Sequence, residues 1–219
     1  MSINNFDGII FDLDGTLWDA RESICMTWNE ILSKHYPELG QLTVESFNAQ
    51  MGKLLPDIGR SFFPHVSDEV IDDILERCLH RENEYIAEHG GVLFDGLEET
   101  LQKLSENAKL YIVSNCQSGY IEAFFTAHGL QRYFTDWQDS SIEGSVKSDN
   151  IRTVVERNDI QRPVYVGDTA LDGQSARDAG TAFIFARYGF GSTEQFDAAV
   201  DDIRELPQIC SALAANIFN

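Results

Sequence analysis

What this sequence has least of is positive charge. Its 219 residues include 16 Lys and Arg against 36 Asp and Glu, for a formal net charge of -20. Nucleic-acid backbones and anionic membrane surfaces are gripped by Lys/Arg clusters, so neither is an expected partner. Cysteine is sparse and unpatterned. Cys25, Cys78, Cys116 and Cys210 form no CxxC pair, which argues against a disulfide framework or structural zinc and for buried free thiols in a reducing cytoplasm. No basic stretch precedes an apolar one near Met1, so no signal peptide is expected. No apolar run approaches the roughly 20 residues that a bilayer span requires. His35, His65, His80, His89 and His128 are scattered, with no pair at metal-binding spacing. Repeats and low-complexity stretches are absent as well.

What is present is alternation. Four short apolar runs end in small or polar residues: Gly8-Ile-Ile-Phe-Asp-Leu-Asp14, Leu110-Tyr-Ile-Val-Ser114, Pro163-Val-Tyr-Val-Gly-Asp168 and Thr181-Ala-Phe-Ile-Phe-Ala186. They are rich in β-branched and aromatic residues without clean polar alternation, the pattern of parallel strands buried on both faces. A weaker fifth lies near Phe134. Helical spacing separates them: Leu97, Leu101 and Leu104; Ile121, Phe124, Phe125 and Leu130; Ile151, Val154 and Val155. This predicts an α/β fold, a Rossmann-like doubly wound parallel sheet.

One segment breaks the rhythm. Asp19 with Glu22 reads as a capping-box start, followed by the stripe Ile24, Trp28, Ile31 and Leu32. Thr43 would cap a short helix carrying Val44 and Phe47. Val70, Ile71, Ile74, Leu75, Cys78 and Leu79 form a longer stripe. Residues 18–90 therefore read as an inserted all-helical cap, with residues 1–17 and 91–219 as the catalytic core. Gly90-Gly91 would be a hinge, because glycine tolerates wide backbone excursions.

Ligands of open α/β sheets bind beyond the carboxyl ends of the strands. There the sequence places Asp12 and Asp14, Ser114 and Asn115, and Asp168 followed one turn later by Asp172. A lone Asp at such a place commonly caps a helix or makes a turn. Several together repel unless a cation neutralises them, and an all-oxygen donor set suits Mg²⁺. Asp12 and Asp14 are two residues apart and share a strand face. One could attack a phosphate while the other handles the leaving group's proton.

Asp12-Leu-Asp14-Gly-Thr16-Leu-Trp-Asp19 resembles the first signature of the haloacid dehalogenase superfamily. Ser114-Asn115, Lys147 and Gly167-Asp168-Thr-Ala-Leu-Asp172 are similar to its later motifs, and Tyr188-Gly-Phe-Gly191 resembles a segment of its phosphoglycolate-phosphatase-like members. The resemblance implies a Mg²⁺-dependent phosphomonoesterase of a small phosphorylated metabolite such as phosphoglycolate, a nucleotide monophosphate or a sugar phosphate. Asp12 would be the nucleophile, forming an aspartyl phosphate, and Asp14 the acid and base. The Asp12 and Asp168 side chains and the Asp14 carbonyl would hold the metal, with Asp172 behind them. Thr16, Ser114, Asn115 and Lys147 would bind substrate, the last three at the phosphoryl oxygens. Lys147 departs from the family pattern in lacking a following proline. Family branches that cleave halides or phosphonates lack the second aspartate, so Asp14 favours phosphate esters. Sugar phosphomutases of the superfamily carry a histidine where Ile24 stands, which leaves a mutase, or a non-catalytic binding protein, as the alternative. Met51-Gly52-Lys53 and Arg60 lie where a cap would meet the substrate.

Overall fold

In the computed structural model, which describes residues 5–141 and 146–218, the first apolar run forms strand β1 (Gly8–Phe11), buried along its whole length. The short β2 (Trp18–Asp19) follows. The chain then enters α1 (Arg21–His35), α2 (Val44–Asn48), α3 (Leu55–Phe62) and α4 (Asp68–His89), and β3 (Val92–Leu93) brings it back. Next come α5 (Leu97–Ser105), β4 (Lys109–Val113), α6 (Tyr120–His128), β5 (Phe134–Gln138) and α7 (Lys147–Arg157). The chain continues through β6 (Pro163–Gly167), α8 (Ala170–Ala179), β7 (Ala182–Ala186), β8 (Ala198–Val200) and α9 (Leu206–Phe218).

Six strands pair in the order β5-β4-β1-β6-β7-β8, each pair parallel. The sheet grows outward from β1 to one side and later to the other, so β1 lies at the switch of direction. Its Phe11 is level with Ile112 of β4 and Val166 of β6. Asp12, Ser114 and Asp168 therefore leave the sheet along one rim. Both faces are covered, which explains the missing polar alternation. Ile9 and Phe11 belong to one apolar cluster, while Ile10 joins Tyr111 and Tyr165 in a second on the opposite face.

The inserted segment holds four α-helices within residues 21–89, but it opens on strand. Trp18 and Asp19 of β2 pair antiparallel with Leu93 and Val92 of β3, so the two crossings lie side by side. Gly90 and Gly91 lead into this ladder, and the reason for glycine is steric. A Cβ on Gly91 would meet the Asp19 carbonyl oxygen at 2.9 Å, and Gly90 has φ 71°. The expected cap of α1 is corrected. Ala20 is the capping residue and offers no side-chain bond. Asp19 instead accepts hydrogen bonds from the Arg21 backbone N–H (3.1 Å) and Nε (2.9 Å). Thr43 does cap α2, in a reciprocal pair with Ser46. Along α4 the buried stripe is Ile71, Ile74, Leu75, Cys78, Glu82 and Ile86, while Val70 is exposed. All four cysteines are buried and free. Among the described residues no helix is long and apolar enough to cross a membrane.

Candidate active site

The Asp12 backbone is still tied to the sheet, its N–H donating to the Val166 carbonyl at 2.8 Å. This fixes the direction of a carboxylate that is only 4% exposed. Lys147, the first residue of α7, donates from Nζ to Asp12 Oδ1 at 2.6 Å and also to Asp172 Oδ1. Burial works against the ammonium charge, yet Asp12 and Asp172 outweigh it and raise the Lys147 pKa well above the usual lysine range. Asp172 is held from its other side by the Thr169 backbone N–H (2.9 Å) and Oγ1 (2.6 Å). This is the capping box that starts α8, so one local device both begins the helix and aims the carboxylate at Lys147.

Asp168 is fully buried and differently partnered. Its Oδ2 accepts from the Phe190 backbone N–H at 2.7 Å, whereas Oδ1 has no hydrogen-bond partner among the described residues. Burial, then the charges of Asp172 and Asp12, push its carboxyl up to about 8. Asp12 is pushed to about 6 by burial, against the pull of Lys147. Oxygen atoms of Asp12, Asp168 and Asp172 all lie within 4.8 Å of one another. One ammonium cannot neutralise three carboxylates, and a buried oxygen without a donor is costly unless something binds it. The backbone around Asp168 is also cut to its shape. A Cβ on Gly15 would stand 2.3 Å from Asp168 Oδ2, and one on Gly189 would stand 2.3 Å from Asp168 Cβ. The donor set therefore fits a small, hard divalent cation, with Asp168 Oδ1 and Asp12 as its natural side-chain ligands.

Asp14 is not in that carboxylate group. It faces a cavity that Asp12, Ser114 and Asn115 also line. Tyr120, at the start of α6, donates its hydroxyl to Asp14 Oδ1 at 2.9 Å. Burial and the neighbouring Asp12 charge still raise the Asp14 carboxyl well above its ordinary range. Ser114 is buried at the end of β4. The Asn115 side-chain amide donates to the Gly52 carbonyl of the helical insert at 2.8 Å, and its Oδ1 has no partner among the described residues. Thr16 is buried with its hydroxyl likewise unpartnered, while its carbonyl accepts from the Tyr188 hydroxyl at 2.8 Å.

The two basic residues expected from the insert fare differently. Lys53 lines the cavity, exposed, with Nζ on Gln50 Oε1 at 3.1 Å. Arg60 is exposed, pairs with Asp68 at 3.3 Å and does not line the cavity. Three residues of the site went unread in the sequence, Glu82, Gln117 and Tyr120, and Trp28, read as part of the apolar stripe of α1, also lines the cavity. Only Glu82 carried a usable signal, a carboxylate four residues from both Cys78 and Ile86 on a buried stripe. In the Tyr188–Gly191 segment, Phe190 also supports Asp168, and the Arg21 guanidinium lies 3.8 Å over the Phe190 ring.

Residues 9–186 match the family described as haloacid dehalogenase-like hydrolase. A phosphoglycolate phosphatase of Vibrio parahaemolyticus is 23% identical over 94% of this chain and 96% of its own length. Among solved structures, a predicted phosphoglycolate phosphatase from Haemophilus somnus aligns with TM-score 0.82 at 18% identity, over 95% of this chain and 99% of that one. CbbY from Rhodobacter sphaeroides, in complex with xylulose-1,5-bisphosphate, aligns with TM-score 0.76 at 19% identity, over 92% of this chain and 96% of that one.

Proposed function

The chain belongs to the haloacid dehalogenase-like hydrolases, and from that we propose that it is a phosphatase: a Mg²⁺-dependent, cytoplasmic phosphomonoesterase that hydrolyses a small phosphorylated metabolite through an aspartyl phosphate on Asp12. The observation that carries this reading is the pair Asp12 and Asp14 on one cavity wall, one carboxylate held by an ammonium and the other kept ready to carry a proton. When bound by Asp12, Asp168 and the Asp14 carbonyl, Mg²⁺ supplies charge that screens a phosphate dianion from these carboxylates.

The protein's own residues do the rest. Lys147 keeps Asp12 ionised and aligned, and an Asp12 oxygen forms a bond to phosphorus as the ester P–O bond breaks. The departing alkoxide takes the Asp14 proton. Tyr120 holds the Asp14 carboxyl toward the cavity by its hydrogen bond. A water then attacks phosphorus, gives its proton to Asp14, and releases phosphate and free Asp12. Ser114 and Lys147 stabilise the charge that gathers on the phosphoryl oxygens. A mutase reading lacks support, since Ile24 lines the cavity and cannot carry a proton.

The test is phosphate release from a panel of phosphoglycolate, nucleotide monophosphates and sugar phosphates, with Mg²⁺ and with chelator, alongside Asp12→Asn. Chelator-sensitive release that drops at least about 1,000-fold in the variant is expected for loss of a nucleophile. Release undiminished in Asp12→Asn would sink the nucleophile assignment.

A further inference from the structure

The cavity over Asp12 and Asp14 has an uneven chemistry. Trp28, Phe47, Ile58 and Leu79 give it an apolar wall. Its charged lining residues, besides the two reacting aspartates, are Lys53 and Glu82. These two are not equivalent. Lys53 is exposed and its charge is screened by water. Glu82 is 3% exposed, so its charge acts through a medium of low polarity, where it is felt more strongly.

A buried carboxylate with no cation partner among the described residues needs a reason. Glu82 Oε2 accepts from Trp28 Nε1 at 2.6 Å and Oε1 accepts from Gln117 Nε2 at 2.8 Å. Both partners are neutral. Each carboxylate oxygen can accept two hydrogen bonds, so acceptor capacity remains on a residue that lines the cavity. The contacts also join parts that must meet around a leaving group. Trp28 is on α1, Glu82 on α4, and Gln117 follows Ser114-Asn115 after β4. The constellation is joined by hydrogen bonds and lines the same cavity as Asp12 and Ser114, but it takes no part in the proton transfers assigned to Asp14.

We infer that Glu82 selects the leaving group: the favoured esters are those whose alcohol carries a further hydrogen-bond donor, a hydroxyl or an ammonium, on a compact carbon skeleton, and an alcohol bearing its own carboxylate is rejected. The inference rests on the phosphatase reading and narrows it to a substrate class. A donor reaching Glu82 satisfies its remaining acceptor capacity, while a carboxylate there meets like charge in a dry pocket. Burial alone pushes the Glu82 carboxyl up to about 7 against the two neutral donors. A donor from the substrate would favour its ionised form.

The experiment compares kcat/KM for three compounds of similar size, glycerol 3-phosphate, phosphoethanolamine and 2-phosphoglycolate, in wild type and Glu82→Gln, with p-nitrophenyl phosphate as a reference and thermal unfolding as the check on folding. Wild type is expected to prefer at least one donor-bearing ester to 2-phosphoglycolate by about 10-fold or more. Glu82→Gln keeps the shape and removes the charge, so that ratio should fall about 10-fold, chiefly through KM. Purely structural damage would lower turnover of all compounds together and leave the ratio unmoved. Preference for 2-phosphoglycolate in wild type, or a ratio unmoved in a folded Glu82→Gln, would overturn the inference while leaving the phosphatase standing. The wild-type ratio decides even if the variant does not fold. No release from any compound, p-nitrophenyl phosphate included, would overturn the phosphatase reading and this inference with it.

Discussion

Asp168 concentrates the conflict within the site. Its pKa rises from 3.8 to about 8, so without metal the folded protein holds a proton that the unfolded chain has already released. The sign follows from linkage. This group's contribution to stability is full below about pH 4 and is lost as pH rises toward about 8. In chelator, Asp168→Asn should therefore unfold at a higher temperature than wild type near pH 8, on the order of 5 °C, and the gap should shrink toward pH 5. Mg²⁺ should raise the wild-type midpoint and leave the variant unmoved. Equal midpoints across that range would remove Asp168 from the charge cluster. The same residue shows what the sequence made legible. Asp12, Asp14, Asp168, Asp172 and Lys147 could be read because each sits at a strand end or in a recognisable motif, and backbone geometry alone aims such residues at one rim. Arg60 could not be placed, because spacing does not tell which way α3 turns. Gly59 packs α3 close enough to α4 that an added Cβ would stand 2.6 Å from Ile71, and Arg60 then points to Asp68. Glu82 escaped notice because α4 carries many carboxylates, and its place in register with Cys78 and Ile86 is the one sign that sets it apart from the exposed ones.

Secondary structure was legible where the elements are long. The apolar runs became β4, β6 and β7 within a residue at each end and β1, which stops three residues short of Asp14, and the weak fifth became β5. The three-residue β8, Ala-Ala-Val, and the two-residue β2 and β3 were not, since fragments this short leave no periodicity to read. Leu130, grouped by spacing with α6, lies beyond it because Gly129 at φ 66° closes the helix. At this scale the Tyr188–Gly191 loop invites a test. A Cβ on Gly189 would press on Asp168 and stand 2.5 Å from the Gly15 carbonyl oxygen, a backbone atom that cannot swing aside. Gly189→Ala should weaken Mg²⁺ binding about 10–100-fold, as changes to supporting residues around metals commonly do, and destabilise the fold by about 1–3 kcal/mol. Metal titration followed by calorimetry, with thermal unfolding alongside, reads both. Normal metal affinity in the variant would mean that the loop does not hold Asp168 in place.

Across the whole molecule, the net charge of -20 opposes the approach of an anionic phosphate ester. Lys147 is buried within the site and Lys53 is exposed at the cavity, too few cations to reverse a field of that size. At fixed Mg²⁺ activity, kcat/KM for a dianionic ester should rise a few-fold as ionic strength increases from about 10 to 150 mM, where the screening length shortens from about 30 to 8 Å. Turnover at saturating substrate should change little. A decline in kcat/KM with salt would reveal a local attractive field stronger than the global one.

The paired crossings have a longer reach. Because Trp18 lies beside Leu93 and Asp19 beside Val92, the polypeptide leaves the sheet and returns to it at nearly the same point. The intervening helices are thus a detour whose two ends already touch, and a tight hairpin turn could join them without altering the course of β1 or β4. A genetic exchange at this doorway can replace one helical insert by another and leave Asp12, Lys147 and Asp168 in place. Ancestors of such a chain could change what they acted upon by trading the detour, while the chemistry behind it was inherited unchanged.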